Sequence, residues 1–345
     1  MEIKNIIHQF INTENYTFYP IDNGLINSTY VLENYENGKK YILQKINSSV
    51  FKNPSNIILN HLRVNCLLRA NNYEMEIIEP IPSSMQEFLV HDINEQSWRL
   101  QNFIDESTTF IKGPSLEIAY KAAKAFSHFL DCINTDELID IKETLPNFIN
   151  FEKRISDYKK ALQNADSDLI ERAKKDIHLT NDFLSLPEKW IELIKNQNLP
   201  KRIIHADPKI SNILFDENNE PIAVIDLDTV MISTILYDFG DMIRSYCNIT
   251  DEDDGITENN FDSEIFNAVK KGFLSHLEEK LTTTELENLE YAAQVVIYIQ
   301  AVRFLTDYLN GNIYYSTKYR EHNLDRTRNQ LRLLEGLREC LGLRV

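Results

Sequence analysis

The sequence is poor in cysteine, in positive charge and in long apolar runs, and each shortage removes a class of function. Its four cysteines, Cys66, Cys132, Cys247 and Cys340, are widely scattered with no C-x-x-C pair. Such spacing supports neither a zinc framework nor a disulfide scaffold, and reads as reduced thiols of a cytosolic protein. Lys and Arg together number 36 against 53 Asp and Glu, a net charge of −17. An acidic field repels polyphosphates at long range, so neither nucleic acid nor an anionic membrane is an expected partner. The same field sets a condition on any nucleotide site, where bound metal ions are the obvious local source of positive charge. No stretch approaches the ~20 apolar residues that span a bilayer. The opening MEIKNIIHQFINTENY also lacks the basic segment, apolar run and cleavage site of a signal peptide. A cytoplasmic protein is expected.

What remains is ordinary globular material. The chain has 345 residues, 43% hydrophobic and 26% charged, which is enough for a packed core in one large domain or two modest ones. Residues 17–46 read as strands, with Tyr30–Glu33 and Lys40–Ile46 flanking the hairpin signal Asn37-Gly38. Residues 54–71 read as a helix with Pro54 in its first turn. Short strand-like runs follow at 74–81, 86–91 and 98–104. From Ser115 the period becomes helical: Ala119, Ala122, Ala123, Phe126, Phe129 and Leu130 follow the i, i+3, i+4, i+7 rule. Helices are expected near 151–164, 166–185, 187–196, 262–279, 284–310 and 323–340, interrupted by short strands at 203–205, 213–215 and 223–226. A β-rich front followed by a mainly helical back points to two lobes, 1–104 and 105–345, in an α+β architecture.

The most informative segment is HADPKISN, residues 205–212, in which His205, Asp207 and Asn212 stand at the spacing H-x-D-x-x-x-x-N between two apolar strand ends. After it comes Ala223-Val224-Ile225-Asp226-Leu227-Asp228-Thr229, an apolar strand ending in a carboxylate. Phosphoryl transfer accounts for these residue types. The attacking hydroxyl needs a carboxylate to orient it and take its proton, the natural task of Asp207. Magnesium beside the triphosphate takes hard oxygen ligands, which Asn212 and Asp226 supply. His205 would orient the loop by hydrogen bonding. ATP and Mg2+ are therefore the expected cofactors.

HADPKISN followed by VIDLDT resembles the catalytic loop and metal-binding Asp of the aminoglycoside phosphotransferase and choline kinase superfamily. Protein kinases use a related layout, H-R-D-x-x-x-x-N followed by D-F-G. Here Ala206 stands in place of the Arg, Leu227-Asp228 in place of Phe-Gly, and neither a G-x-G-x-x-G loop nor an A-P-E segment is present. The strings GLINSTY, YILQKINSSVFKNP, WRLQNFIDESTTF, ETLPNFINF, RFLTDYLNGNIYY and HNLDRTRNQ extend the resemblance over nearly the whole chain, to the N-acetylhexosamine kinase group. The resemblance implies a protein-kinase-like two-lobed fold. It also implies transfer of phosphate from Mg-ATP to the anomeric hydroxyl of N-acetylglucosamine or N-acetylgalactosamine.

Further residues take expected roles from the same resemblance. Gly24 through Thr29 resembles the phosphate-covering loop, with the Ser28 and Thr29 hydroxyls near the β- or γ-phosphate, though a plain hairpin turn reads equally well. Gln44 or Lys45 should face the phosphates from the third strand, Lys45 being otherwise a solvated strand lysine. The helix at 54–71 contains no Asp or Glu, so the usual Lys–Glu pair of this fold cannot form with it, and Asn60 or Asn65 is left to orient the strand residue. Asn102-Phe103-Ile104 looks like the linker whose backbone pairs with adenine, and Trp98 reads as core. Asp228 would touch a second metal or the sugar, or stabilise its loop. Asp238, in Tyr237-Asp238-Phe239-Gly240-Asp241, should brace the catalytic loop with Arg244 as its surface neighbour. Arg303 and Asp307 share a helix face, as a salt bridge or, as RFLTDYL implies, as sugar ligands. His322-Asn323 is expected to be structural. Competing readings are phosphorylation of an aminoglycoside, choline or homoserine, or a weakly active nucleotide-binding pseudokinase. Oligomeric state is not legible.

Overall fold

The structure, a computed structural model, describes residues 2–21, 26–111, 115–135 and 137–343. The chain divides into two compact units, one comprising Met1–Thr109, Phe129–Pro146 and Asn212–Ile232, the other Phe110–His128, Asn147–Ser211 and Ser233–Val345. In chain order the elements begin with α1 (Glu2–Phe10), β1 (Tyr16–Ile21), β2 (Ser28–Asn34), β3 (Lys40–Lys45), α2 (Pro54–Ala70), β4 (Pro80–Ile81), β5 (Val90–His91) and β6 (Ser97–Asn102). They continue with α3 (Leu116–Ile133), α4 (Phe151–Asn164), α5 (Ser167–Arg172), α6 (Lys174–Asp182), α7 (Leu186–Lys195), β7 (Arg202–Ile204), β8 (Ile213–Phe215), β9 (Pro221–Val224) and β10 (Met231–Ser233). The last are α8 (Leu236–Tyr246), α9 (Ser263–Leu277), α10 (Thr283–Glu287), α11 (Leu289–Leu309) and α12 (His322–Cys340).

The first unit is built on an antiparallel sheet in the order β1-β2-β3-β6-β4, with β5 also paired to β6. Gly38, at φ 69, closes the β2–β3 hairpin and donates its amide to Asn34. Alternation then sends Leu32, Leu43 and Leu100 to one face, where they pack with Ile6, Ile7 and Phe10 of α1 and with Trp98. Each such fully buried side chain stabilises the fold by about 1.5–3 kcal/mol relative to exposure. Gln44, between Leu43 and Lys45, points to the opposite face. Pro80 and Pro82 withhold amide donors at the end of the run at 74–81, which shrinks to two paired residues, as does the run at 86–91.

The second unit is helical. Its α11 buries residues on nearly every face, from Leu289 and Ala292 to Leu305 and Tyr308, as expected of a helix surrounded by others. Gly240 lets α8 approach it closely: a Cβ there would lie 2.6 Å from Val296 Cγ2 and 2.8 Å from the Ala292 carbonyl. The helix expected over 166–185 is broken at the fully buried Ala173, and that over 284–310 at Asn288, whose amide caps Thr284. No helix among the described residues is long and apolar enough to cross a membrane.

Candidate active site

The division between the units runs through the motif itself, leaving His205 and Asp207 in the second unit and Asn212, Asp226 and Asp228 in the first. In the second unit, the loop after β7 is held by Asp238, in the first turn of α8. One carboxylate oxygen accepts the His205 amide at 2.8 Å and the other the Ala206 amide at 2.9 Å. This is the bracing contact expected of Asp238. Burial pushes its pKa up to about 7, against the pull of the two amides. Ala206 adopts φ 64, a left-handed conformation that costs an L-residue about 1–2 kcal/mol. His205 is fully buried, edge-on to Phe126 at 5.2 Å, and its Nδ1 accepts the Asp207 amide at 3.3 Å. The ring therefore shapes the loop and does not reach outward. Asp207 is half-buried, with Lys209 Nζ 2.7 Å from its Oδ2. Arg244, expected as a surface neighbour of Asp238, is instead half-buried and paired with Asp241 at 2.6 Å and Glu252 at 3.1 Å.

A pocket of about 330 Å3 lies in the same unit, walled by Arg154, Asp157 and Lys160 of α4, Arg303 and Asp307 of α11, and Tyr315 among others. Arg303 stacks against Phe148 at 5.5 Å and Tyr315 at 5.7 Å, and donates to Gln300 at 2.8 Å. Burial, with the charge of Arg303 adding to it, pulls the Arg154 guanidinium below its usual value. Asp307 does not pair with Arg303. Its carboxylate accepts the amides of Ile313, Tyr314 and Tyr315 and the side chain of Asn323, which fixes the loop carrying both tyrosines. His322 meets Asp253 at 3.0 Å, so it and Asn323 are structural contacts. Tyr237, whose hydroxyl burial pushes well up, feels the charges of both Arg303 and Asp207.

In the first unit Asn212 is buried and its carbonyl accepts the Ile225 amide at 2.9 Å, which ties it to the residue just before Asp226. Asp226 is exposed and adopts φ 63, a second left-handed residue. One amide and one carboxylate are hard oxygen donors, too few to hold magnesium alone but suited to it beside phosphate oxygens and water. No cluster of three or more His, Cys, Asp or Glu fit for a metal occurs among the described residues.

The nucleotide-contact expectations meet mixed geometry. Gly24 lies outside the described residues. Ser28 and Thr29 open β2, Ser28 exposed and Thr29 accepting from Gln44 Nε2 at 3.1 Å. Gln44 Oε1 accepts from Arg99 Nε at 2.9 Å and Nη2 at 2.7 Å. Lys45 stands 5.8 Å over the Trp98 ring, and Trp98 is core. Asn102 ends β6 with its Oδ1 accepting the Glu79 amide at 2.7 Å, and Ile104 is buried with Ile78 and Ala223. Asn60 and Asn65 do not orient Gln44: Asn60 bonds the Lys142 backbone and Asn65 the Ile78 carbonyl. Asp228 is buried, its Oδ1 2.6 Å from Arg99 Nη1 and its Oδ2 accepting from Asn27 at 2.8 Å. Sequence reasoning missed Arg99, Lys209 and Arg154. The only available signal was an arginine inside an otherwise uncharged strand and a lysine inside the motif.

A profile described as the phosphotransferase enzyme family (APH) matches residues 17–262, so the chain belongs to that family. Among solved structures it is similar to an aminoglycoside phosphotransferase from Alicyclobacillus acidocaldarius at 14% identity, covering 99% of this chain and 96% of that one with a TM-score of 0.62. A spectinomycin phosphotransferase solved with ADP and spectinomycin matches at 12% identity, 99% and 98% coverage and a TM-score of 0.62. A choline kinase from Cryptosporidium parvum matches at 16% identity, 99% and 96% coverage and a TM-score of 0.55. The fold is the two-lobed, kinase-like one, with an antiparallel sheet in the first lobe and helices in the second.

Proposed function

We propose that the chain is a small-molecule kinase that uses ATP and phosphorylates the anomeric hydroxyl of an N-acetylhexosamine. Asp207 carries the reading, being a half-buried carboxylate on a loop held by Asp238, at the first acidic position of H-x-D-x-x-x-x-N. It would accept the hydroxyl proton as the sugar oxygen bonds to the γ-phosphorus and the bridging bond to ADP breaks. Lys209, 2.7 Å from the Asp207 carboxylate, would help orient it before the nucleotide arrives. Asn212 and Asp226 would hold magnesium, which when bound neutralises charge on the phosphates.

The pocket on α4 and α11 supports a sugar acceptor. Arg303, between two aromatic rings, offers guanidinium donors to hydroxyl or acetamide oxygens, while Phe148 and Tyr315 supply apolar faces. The alternative acceptors choline and aminoglycosides are cations, which the net charge would suit. The local wall does not: Arg154, Lys160 and Arg303 outnumber Asp157 and Asp307, whose carboxylates are already engaged by Lys153 and by backbone amides. ADP release from Mg-ATP, measured over N-acetylglucosamine, N-acetylgalactosamine, other sugars, choline, homoserine and kanamycin, tests the reading. Turnover confined to the N-acetylhexosamines is expected, and turnover confined to a cation would overturn the acceptor assignment.

A further inference from the structure

The kinase pattern leaves a vacancy in this sequence, since β3 offers Gln44 where a cation is usual and α2 carries no acid. The structure fills it from a different strand. Arg99 on β6 lies directly across from Gln44, and Gln44 across from Thr29, forming one row over three strands. Its guanidinium grips the Gln44 carbonyl with two N–H groups and sets Nη1 against Asp228, and both charged side chains are 3% exposed or less. The Nη1–Oδ1 contact lies off hydrogen-bond alignment, so charge is its main content. Helix α2 itself carries no carboxylate to offer Arg99. The nearby His61 is kept neutral, its pKa pulled down to about 4 by burial and, next, by the charge of Arg99.

Asp228 is thus the counter-ion of Arg99, and it sits in the turn that carries Asp226. That turn is tied at several further points. Thr144 Oγ1 donates to the Asp228 carbonyl at 2.8 Å, and Asn27 Nδ2 to its carboxylate at 2.8 Å. Asn27 in turn accepts the Asn47 amide at 3.0 Å. A left-handed Asp226 persists only where its surroundings support it, and this network ties down the same turn two residues on.

Resting on the kinase reading above, we propose that Arg99 is a positioning residue for the metal: it fixes Asp228, and through Asp228 the backbone that aims the Asp226 carboxylate. It is too buried to touch a phosphate itself. The cation of the sheet has moved one strand over, and its acid has moved from the helix to the metal turn.

The test is ADP affinity by calorimetry, with magnesium and with EDTA, in the absence of any acceptor. Removing Arg99 alone would strand a buried carboxylate, so the pair is replaced together, as Arg99→Met with Asp228→Leu, an exchange buried pairs often tolerate. The magnesium-dependent gain in ADP affinity should fall about tenfold, as for other groups that orient a metal ligand, while affinity in EDTA stays within about twofold. A cooperatively melting double variant that keeps the full gain would overturn the proposal. If that variant does not fold, Asp228→Asn, which keeps the side chain's size and its contact with Asn27 but removes the charge that holds it to Arg99, decides it. A loss of about threefold in the same gain is expected there, and no loss refutes the assignment. A wild-type protein with no magnesium-dependent ADP affinity would instead sink the kinase reading, which separates the two failures.

Discussion

The two units hold their halves of the H-x-D-x-x-x-x-N and I-D-x-D pattern by different physics. In the first, the turn bearing Asp226 is secured by a buried ion pair, Arg99 with Asp228, and by side chains donating to backbone carbonyls. In the second, the loop bearing Asp207 is secured by one carboxylate, Asp238, accepting two backbone amides, with no cation opposite it. Both devices support a left-handed non-glycine residue, Asp226 in one and Ala206 in the other. A neutralised ion pair adds little net field around Asp226. The uncompensated Asp238 is sensitive to pH, because burial has raised its pKa to about 7.

The comparison breaks most visibly at the two exposed-side carboxylates. Asp207→Asn should lower kcat by about 10³-fold with little change in Mg-ATP affinity, since a lost general base costs the chemical step. Asp226→Asn should do the reverse first, removing most of the magnesium-dependent nucleotide affinity, as read by calorimetry. Next in size, Arg303→Met should raise the acceptor KM by about 30-fold, the worth of one charged hydrogen bond near 2 kcal/mol, and leave the ATP KM alone.

Asp238→Asn tests the other side of the comparison. It sets an amide donor against a backbone donor and should cost about 2 kcal/mol of stability. It should also flatten a pH dependence. The folded pKa of Asp238 lies above its unfolded value of 3.8, so the stability linked to its proton is full below 3.8 and lost as pH rises through about 7. Melting temperatures of wild type should therefore carry a decline across that window which the variant lacks. The smallest effect is expected at Ala206→Gly. Relief of the left-handed Cβ, about 1–2 kcal/mol, is offset by the entropy of an unfolded glycine, leaving a gain of about 0.5 kcal/mol.

The elements themselves were largely legible. The Asn37-Gly38 hairpin, α4 and the buried face of α3 follow directly from turn chemistry and the 3.6 period. The breaks at Ala173 and Asn288 were not, because neither position carries the proline or glycine that marks a helix end. In the site, residues whose spacing is local could be read: His205, Asp207, Asn212 and Asp226 all fall within 22 positions. The Arg99–Gln44–Asp228 network could not, because it joins residues far apart in sequence through strand register, which no local pattern encodes. Asp307 shows the same limit differently. Its i, i+4 spacing to Arg303 suggested a pair, but a loop returning over the helix offers three amides and takes the carboxylate first.

The most direct test of the central claim sets turnover and Mg-ATP affinity of Asp207→Asn beside those of wild type, with N-acetylglucosamine or N-acetylgalactosamine as acceptor. The account predicts wild-type nucleotide affinity with turnover reduced by about 10³-fold. Turnover within about tenfold of wild type would contradict it, since Asp207 could not then be the base.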